Sequence, residues 1–268
     1  YSNDDSPDLS NVTDMSYMFA GASSISGNFN SWNTSNVTDM SYMFKDATSF
    51  NGAIRNWDVS NVTTMEKMFS GASAYNKLDV YYWTPTNLLN ASYMFENATS
   101  YIYAIFREAD NLQNMEGMFK GASAFEGSTS INLKPAVTNM KDMLKDATSF
   151  DRYIGSWNIS NVTNMEGMLS GSGLSKENYE KALQDWSEKT LQNGVTLGAD
   201  GLEYCAGRVE RQTIIDTYNW TFTGDAETCP VMVNIPDANF KNRLVNLFDK
   251  NDDNEIDETE AQAVINLS

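Results

Sequence analysis

Apolar residues in the first two-thirds of the chain repeat at a spacing of 24 to 26 residues, far longer than the period of a helix or a strand. Registers that begin at Ser10, Ser35, Ser60, Thr86, Asp110, Pro135 and Ser160 align seven copies of one pattern. Its third position holds Val12, Val37, Val62, Leu88, Leu112, Val137 and Val162. Three residues on stand Met15, Met40, Met65, Ala91, Met115, Met140 and Met165, and three further Met18, Met43, Met68, Met94, Met118, Met143 and Met168. Phe or Leu follows at once, and a small residue from Ala22 to Ser172 closes the block. This spacing suits short helical or 3₁₀ turns, since alternation with period 2 is missing; Phe50 to Trp57 leaves room for one short extended stretch per copy. One copy alone cannot bury its apolar column, so the copies must stack, and at a strand-like pitch of about 4.8 Å seven of them span roughly 34 Å.

Thirteen of the fourteen methionines lie in these columns. The fixed register makes them core rather than a copper site or an adaptable binding groove. Asparagine recurs at the second position (Asn11, Asn36, Asn61, Asn87, Asn111 and Asn161). Some of these open N-x-[ST] glycosylation matches, but a residue that follows the period is expected to form an internal ladder bonded to backbone.

Composition narrows the function classes. With 36 acidic against 18 basic residues the formal charge is -18, which repels nucleic-acid phosphates and anionic membranes. No apolar run reaches membrane-spanning length, so insertion is not expected. The polar opening from Tyr1 has the look of a processed start. Histidine is absent and only Cys205 and Cys229 are present, which leaves no His-based triad or zinc cage and favours a disulfide adding roughly 3 kcal/mol.

The segment SNVTDMSYMFKDATSFNGAIRNWDV, Ser35 to Val59, resembles the repeat of bacterial BspA-like leucine-rich-repeat surface proteins. The likeness covers residues 10 to about 230. It rests on N-V-T-x-M-x-x-M-F-x-x-A and the tryptophan after it, present at Trp32, Trp57, Trp83 and Trp157 but replaced by Glu108 and Asn132 in the fourth and fifth copies. The resemblance implies an α/β, leucine-rich-repeat-like right-handed solenoid on a bacterial surface or in a secreted protein, serving adhesion rather than catalysis. The expected organisation is a lead-in over 1–9, seven coils over 10–173, an α+β cap over 174–230 and a small helix-loop-helix over 231–268. That last segment also resembles a module preceding further repeats, so further domains of the same polypeptide are expected. No binding residue is carried over, because the shared motif is a scaffold motif.

A ligand surface is expected where the copies are irregular. Tyr75, Tyr81, Tyr82, Tyr101, Tyr103 and Phe106 cluster across the third and fourth copies and could stack on a sugar or anchor a protein, or else refill space left by missing tryptophans. The column Tyr17, Tyr42, Lys67, Tyr93, Gly117, Asp142 and Gly167 is expected to face outward. A second reading is a polysaccharide-active enzyme with Asp79 and Glu108 as paired carboxylates, and a third is a spacer in a surface fibre.

Beyond the repeats, Ser175 precedes a predicted helix over 176–189 with Tyr179, Ala182, Leu183 and Trp186 on one face, and a second helix is expected over 206–218. The sharpest chemical motif runs from Asp249 to Glu260. Oxygen donors Asp249, Asn251, Asp253, Asp257 and Glu260, with the Glu255 carbonyl, fall at the ligand positions of an EF-hand, so calcium is the expected cofactor. Asn254 stands where glycine is usual. Helices over 236–248, with Phe240, Leu244 and Phe248 on one face, and over 258–266 should flank the loop. The expected function is a non-catalytic extracellular or cell-surface module that binds a host or environmental glycan or protein and carries a structural calcium site.

Overall fold

In a computed structural model the described residues are 6–103, 105–106, 108–127, 136–230, 233–250, 255–257 and 260–261. Two compact units result, Tyr1–Ala226 and Glu227–Ser268.

The first unit is ordered by where its backbone N–H groups go. In the first repeat the N–H groups of Met15, Tyr17, Phe19 and Gly21 donate to the carbonyls of Asp39, Ser41, Met43 and Lys45 in the second. The N–H groups between them turn inward to their own repeat: Met18 donates to Met15, Ala20 to Tyr17 and Ala22 to Phe19. The Ser16 N–H is taken by the side chain of Asp14. The same alternation, with four inter-repeat bonds at each junction, recurs down to the seventh repeat. Each repeat is thus one tier, hydrogen-bonded through every second N–H to the next.

Two sequence columns create this geometry. The residue before the first methionine is Asp14, Asp39, Thr64, Asn90, Asn114, Asn139 or Asn164, and each side chain accepts from the N–H two residues on. This local turn is what Asp, Asn and Thr favour. The second column comprises positions with positive φ, among them Tyr17, Tyr42, Lys67, Tyr93 and Asp142, then, four residues later, Gly21, Asp46, Gly71, Asn97, Gly121, Asp146 and Gly171. The later set is restricted to Gly, Asp and Asn, which pay little for the left-handed conformation.

These turns aim the apolar columns inward. Every methionine of the columns from Met40 onward is fully buried, as are Phe44, Phe69, Phe95 and Phe119. The last four stack tier on tier with ring centroids 5.6, 5.3 and 5.7 Å apart. A second file, Phe50, Tyr75, Tyr101, Phe125 and Phe150, lies beside the first, with centroids 3.8 to 4.3 Å away within a tier. Burial of each such side chain contributes roughly 1.5–3 kcal/mol. The Trp57 and Trp83 indoles donate to the carbonyls of Phe29 and Ile54 one tier back, at 2.8 and 3.2 Å.

The expected leucine-rich-repeat-like right-handed solenoid is not what forms. Regular structure among the described residues amounts to a few helices and two small two-stranded sheets, and the tiers meet through isolated parallel bridges such as Asp14 to Asp39 and Asp39 to Thr64. The extended stretch expected around Phe50 to Trp57 shrinks to the single bridge between Asn28 and Ala53. Within the hydrogen-bonded block the reason is the positive φ: a strand needs consecutive extended residues, whereas here the chain turns between one inter-tier bond and the next. Around Phe50 to Trp57 it is a turn, with the Trp57 N–H bonding back to Ile54. The asparagine ladder is also external rather than internal. Asn36, Asn61, Asn87 and Asn111 are exposed, and each Nδ2 donates to a carbonyl of the preceding tier at 2.7 to 2.8 Å.

The end of the stack is closed by α1 (Lys176–Ser187), β1 (Thr196–Gly198), β2 (Glu203–Tyr204), α2 (Arg208–Tyr218), β3 (Thr221–Thr223) and β4 (Ala226–Glu227). Ser175 caps α1 through the Asn178 N–H, and Tyr179, Ala182, Leu183 and Trp186 are its buried face, as the spacing predicts. β1 pairs parallel with β3 and also finishes the ladder: the Leu169 N–H donates to Gly198, that of Gly171 to Asp200, and that of Gly198 to Met165. A Cβ on Gly198 would fall 2.2 Å from the Gly167 nitrogen, so this approach needs glycine. Beneath β3, buried Asp225 takes two bonds from Arg211, at 2.8 and 3.0 Å, and one from the Tyr179 hydroxyl at 2.9 Å.

In the second unit, α3 (Ala238–Phe248) starts from Asp237, whose side chain accepts from the Phe240 N–H at 2.8 Å. The expected apolar face is incomplete, with Leu244 and Phe248 half-buried and Phe240 exposed.

Two substitutions test this account. Tyr75 carries a buried hydroxyl with no hydrogen-bond partner in a file otherwise tolerant of phenylalanine, so Tyr75→Phe should leave the denaturation midpoint unchanged or raise stability by about 1 kcal/mol. At Asn97, φ 55°, Asn97→Gly should be nearly neutral while Asn97→Val costs about 1–2 kcal/mol in the same measurement.

Candidate functional site

The expected aromatic cluster is divided by the fold. Tyr75 and Tyr101 are fully buried in the second aromatic file, and Phe106 is buried beside Ile105, so none of the three is offered to a ligand. They fill core space, as the pitch of the file requires. Tyr103 packs on the same core, edge-on to Tyr101 at 6.2 Å. Tyr82 is exposed and Tyr81 half-buried, both within a 3₁₀ turn over Leu78–Tyr82, as an edge-to-face pair at 5.4 Å with the Arg55 guanidinium 3.6 Å over the Tyr82 ring.

The outward column is the better-formed surface. Tyr17 and Tyr42 stack face to face at 4.5 Å, and the Lys67 ammonium lies between Tyr42 and Tyr93, 6.0 and 5.1 Å from the ring centroids. The Tyr93 ring covers Gly117, where any Cβ would sit 2.3 Å from it. The Tyr42 hydroxyl donates to Glu66, whose other oxygen accepts from Asn90 at 3.4 Å. One pair of tiers on, Tyr93 donates to Glu116 at 2.8 Å and Glu116 accepts from Asn139 at 3.2 Å. Lys120 pairs with Asp142 at 2.8 Å, which raises the ammonium pKa. The Tyr–Glu–Asn array is thus built twice. Hydrogen bonding to Glu66, then burial, raises the Tyr42 phenol; partial burial, then the bond to Glu116, pushes that of Tyr93 up to about 12. The signal in the sequence was the glutamate two residues before each methionine at Glu66 and Glu116, one tier beyond a tyrosine.

The remaining candidates fall out as follows. Asp79 is half-buried and accepts from the Ile54 N–H at 2.8 Å, which commits one oxygen to holding the backbone, while Glu108 is exposed. An open groove of about 370 Å³ is lined by Ser156, Asn158, Ser160, Lys189 and Thr190, without a carboxylate. Both cysteines are disulfide-bonded, hence Cys205 to Cys229. Among the described residues no helix is long and apolar enough to cross a membrane.

In the acidic loop, Asn251 and Asp253 lie outside the described residues. Asp257 and Glu260 are buried and bond reciprocally: the Glu260 N–H donates to Asp257 Oδ1 at 2.8 Å, and the Asp257 N–H to Glu260 Oε2 at 3.1 Å. This is a capping box at the helical pair Glu260 and Ala261. The second Glu260 oxygen accepts from the Lys250 N–H at 2.7 Å, and the Glu255 carboxylate pairs with Lys241 at 2.5 Å. Among the described residues no group of three or more acidic or cysteine side chains is placed to hold a metal ion.

The tyrosine array should be visible in alkali. A phenol whose pKa rises on folding contributes stability that is complete below its ordinary value of 10.0 and is lost as pH climbs towards about 12. Tyr93→Phe should therefore flatten the fall in stability over that window, and tyrosinate absorbance should lose one of its late-titrating phenols.

Neither a curated protein nor a solved structure matches the chain. One family model, described as "Mycoplasma protein of unknown function, DUF285", matches residues 2–108 and again residues 106–196, which takes in the tiers and α1. The chain belongs to that family.

Proposed function

We propose that the chain is a non-catalytic interaction module of an extracellular or cell-surface protein, whose tiered face binds a glycan or a protein. The observation that carries this reading is the outward column of Tyr17, Tyr42, Lys67, Tyr93 and Asp142, which presents aromatic rings and charges on the first four tiers and the sixth in a fixed frame. Such a frame lowers the ordering cost of binding. Aromatic and cationic side chains are also the usual anchors of interfaces. The resemblance to BspA-like surface proteins points the same way, and the disulfide suits an oxidising compartment. The acidic balance argues against nucleic acid as the ligand.

Asparagine tolerates positive φ, so Tyr42→Asn, Lys67→Asn and Tyr93→Asn together strip the face without forcing the backbone. Against panels of immobilised glycans and matrix proteins, the native chain should retain a ligand and the triple variant should lose at least about tenfold in affinity. Equal binding by both, or no binding beside turnover of a polysaccharide, would sink the proposal.

Calcium in the loop from Asp249 to Glu260 is the second part of the reading. Its support is the oxygen spacing together with the burial of Asp257 and Glu260; the capping box gives those two a role without metal, so the two readings differ in what chelation does. If calcium binds, chelator should lower the melting temperature of the unit Glu227–Ser268 while the tiers stay folded. A melting curve indifferent to calcium would leave the capping box as the whole explanation.

A further inference from the structure

The four-bond block at each junction has a direction: its N–H groups point to the following tier and its carbonyls receive from the preceding one, while bonds outside it, such as Thr38 N–H to Thr13 and Ala53 N–H to Gly27, run back. At the last tier β1 takes the place of a further tier: Leu169 and Gly171 donate to Gly198 and Asp200, and Gly198 donates back to Met165. At the opposite end the carbonyls of Asp14, Ser16, Met18 and Ala20 receive no hydrogen bond among the described residues, although their counterparts at Asp39, Ser41, Met43 and Lys45 all do. The apolar columns end there as well. Met18 is 41% exposed where Met43 is 0%, Tyr17 is 58% exposed, and Phe19, Ile25, Phe29 and Trp32 are only partly buried.

The way the chain enters this tier repeats the way it passes between tiers. Asp8 accepts from the Ser10 N–H at 3.0 Å, as Asp58 does from Ser60. Val12 donates to Leu9 at 2.9 Å, as Val62 does to Val59 at 3.1 Å, and Leu9 is buried like Val59.

We propose that the amino-terminal face of the first tier is a docking face for one further tier of the same repeat, joined in the same polypeptide through Asp8 and Leu9. The occupant follows from the chemistry. Four carbonyls at alternate residues call for four N–H donors at the same spacing, and half-exposed Met, Phe and Trp call for the matching apolar columns. A second copy of the chain does not supply the donors. Two such faces meeting would set carbonyl against carbonyl, and the other end of the stack is covered by β1, which lies so close that a Cβ on Gly198 would fall 2.2 Å from the Gly167 nitrogen. The face continues an interface that the molecule already builds at each junction between its tiers, and it stands independently of the binding role proposed above.

The test inserts a second copy of residues 35–59 between Leu9 and Ser10 and reads methionine oxidation by peroxide with peptide mapping, with Met168 as the buried reference. Met18 should oxidise about tenfold more slowly than in the parent chain, and the denaturant slope should rise with the added buried surface. The same insert carrying Met43→Asp and Phe44→Asp should give no protection. Unchanged Met18 reactivity with the intact insert, whether it folds or not, overturns the proposal. So does protection without a rise in slope, or a parent chain that already shields Met18 by forming dimers in sedimentation.

Discussion

Alternate use of the backbone N–H groups is the constraint on which the rest of this molecule depends. Every second donor must leave its tier while its neighbours close turns inside it, and that is feasible only where two residues per tier accept positive φ. Once those positions are met, the side chains have no freedom about where they go. Methionine and phenylalanine fall into the interior and stack on their own kind in the next tier, and the Asp, Thr or Asn ahead of the first methionine satisfies the one N–H that neither pattern reaches.

The same constraint shapes the surface. At the first positive-φ position Tyr17 is exposed and Tyr42, Lys67, Tyr93 and Asp142 are half-buried, so residues hard to place in the backbone are also those that reach the surface. Tyrosine there is held by reaching across to a glutamate in the next tier, and glycine at 117 gives the Tyr93 ring a place to lie. Display and stacking are thereby coupled: a side chain in this column touches the tier beside it before it touches any partner.

Much of this was legible in the residues alone. Strict spacing placed the methionine and phenylalanine columns in the core and gave the buried face of α1, and an even pair of cysteines gave the disulfide. The tier's own conformation was not legible. Tyr17, Lys67 and Asp142 share nothing but a backbone angle, so their column read as ordinary surface variety, and resemblance then supplied a strand-bearing architecture that positive φ forbids. Tyr75 and Tyr101 misled for a related reason. A tyrosine replacing phenylalanine in a buried file looks, in sequence, like an exposed anchor, and only the ring spacing to Phe50 and Phe125 shows otherwise. In the acidic loop, Asp257 and Glu260 fit two patterns at once, since position 9 to position 12 of a calcium loop has the same separation as a capping box.

The 3₁₀ turn over Leu78–Tyr82 bears on how such a chain varies in length. The third tier runs 26 residues, from Ser60 to the next register start at Thr86, where the first two run 25, and this turn lies outside its hydrogen-bonded block of Met65 to Gly71, so the next junction still makes its four bonds. Insertions are therefore absorbed along one flank and refused along the other, where a single extra residue would exchange every donor that leaves the tier for one that stays. Novel loops, and with them novel specificities, have one side of this protein open to them.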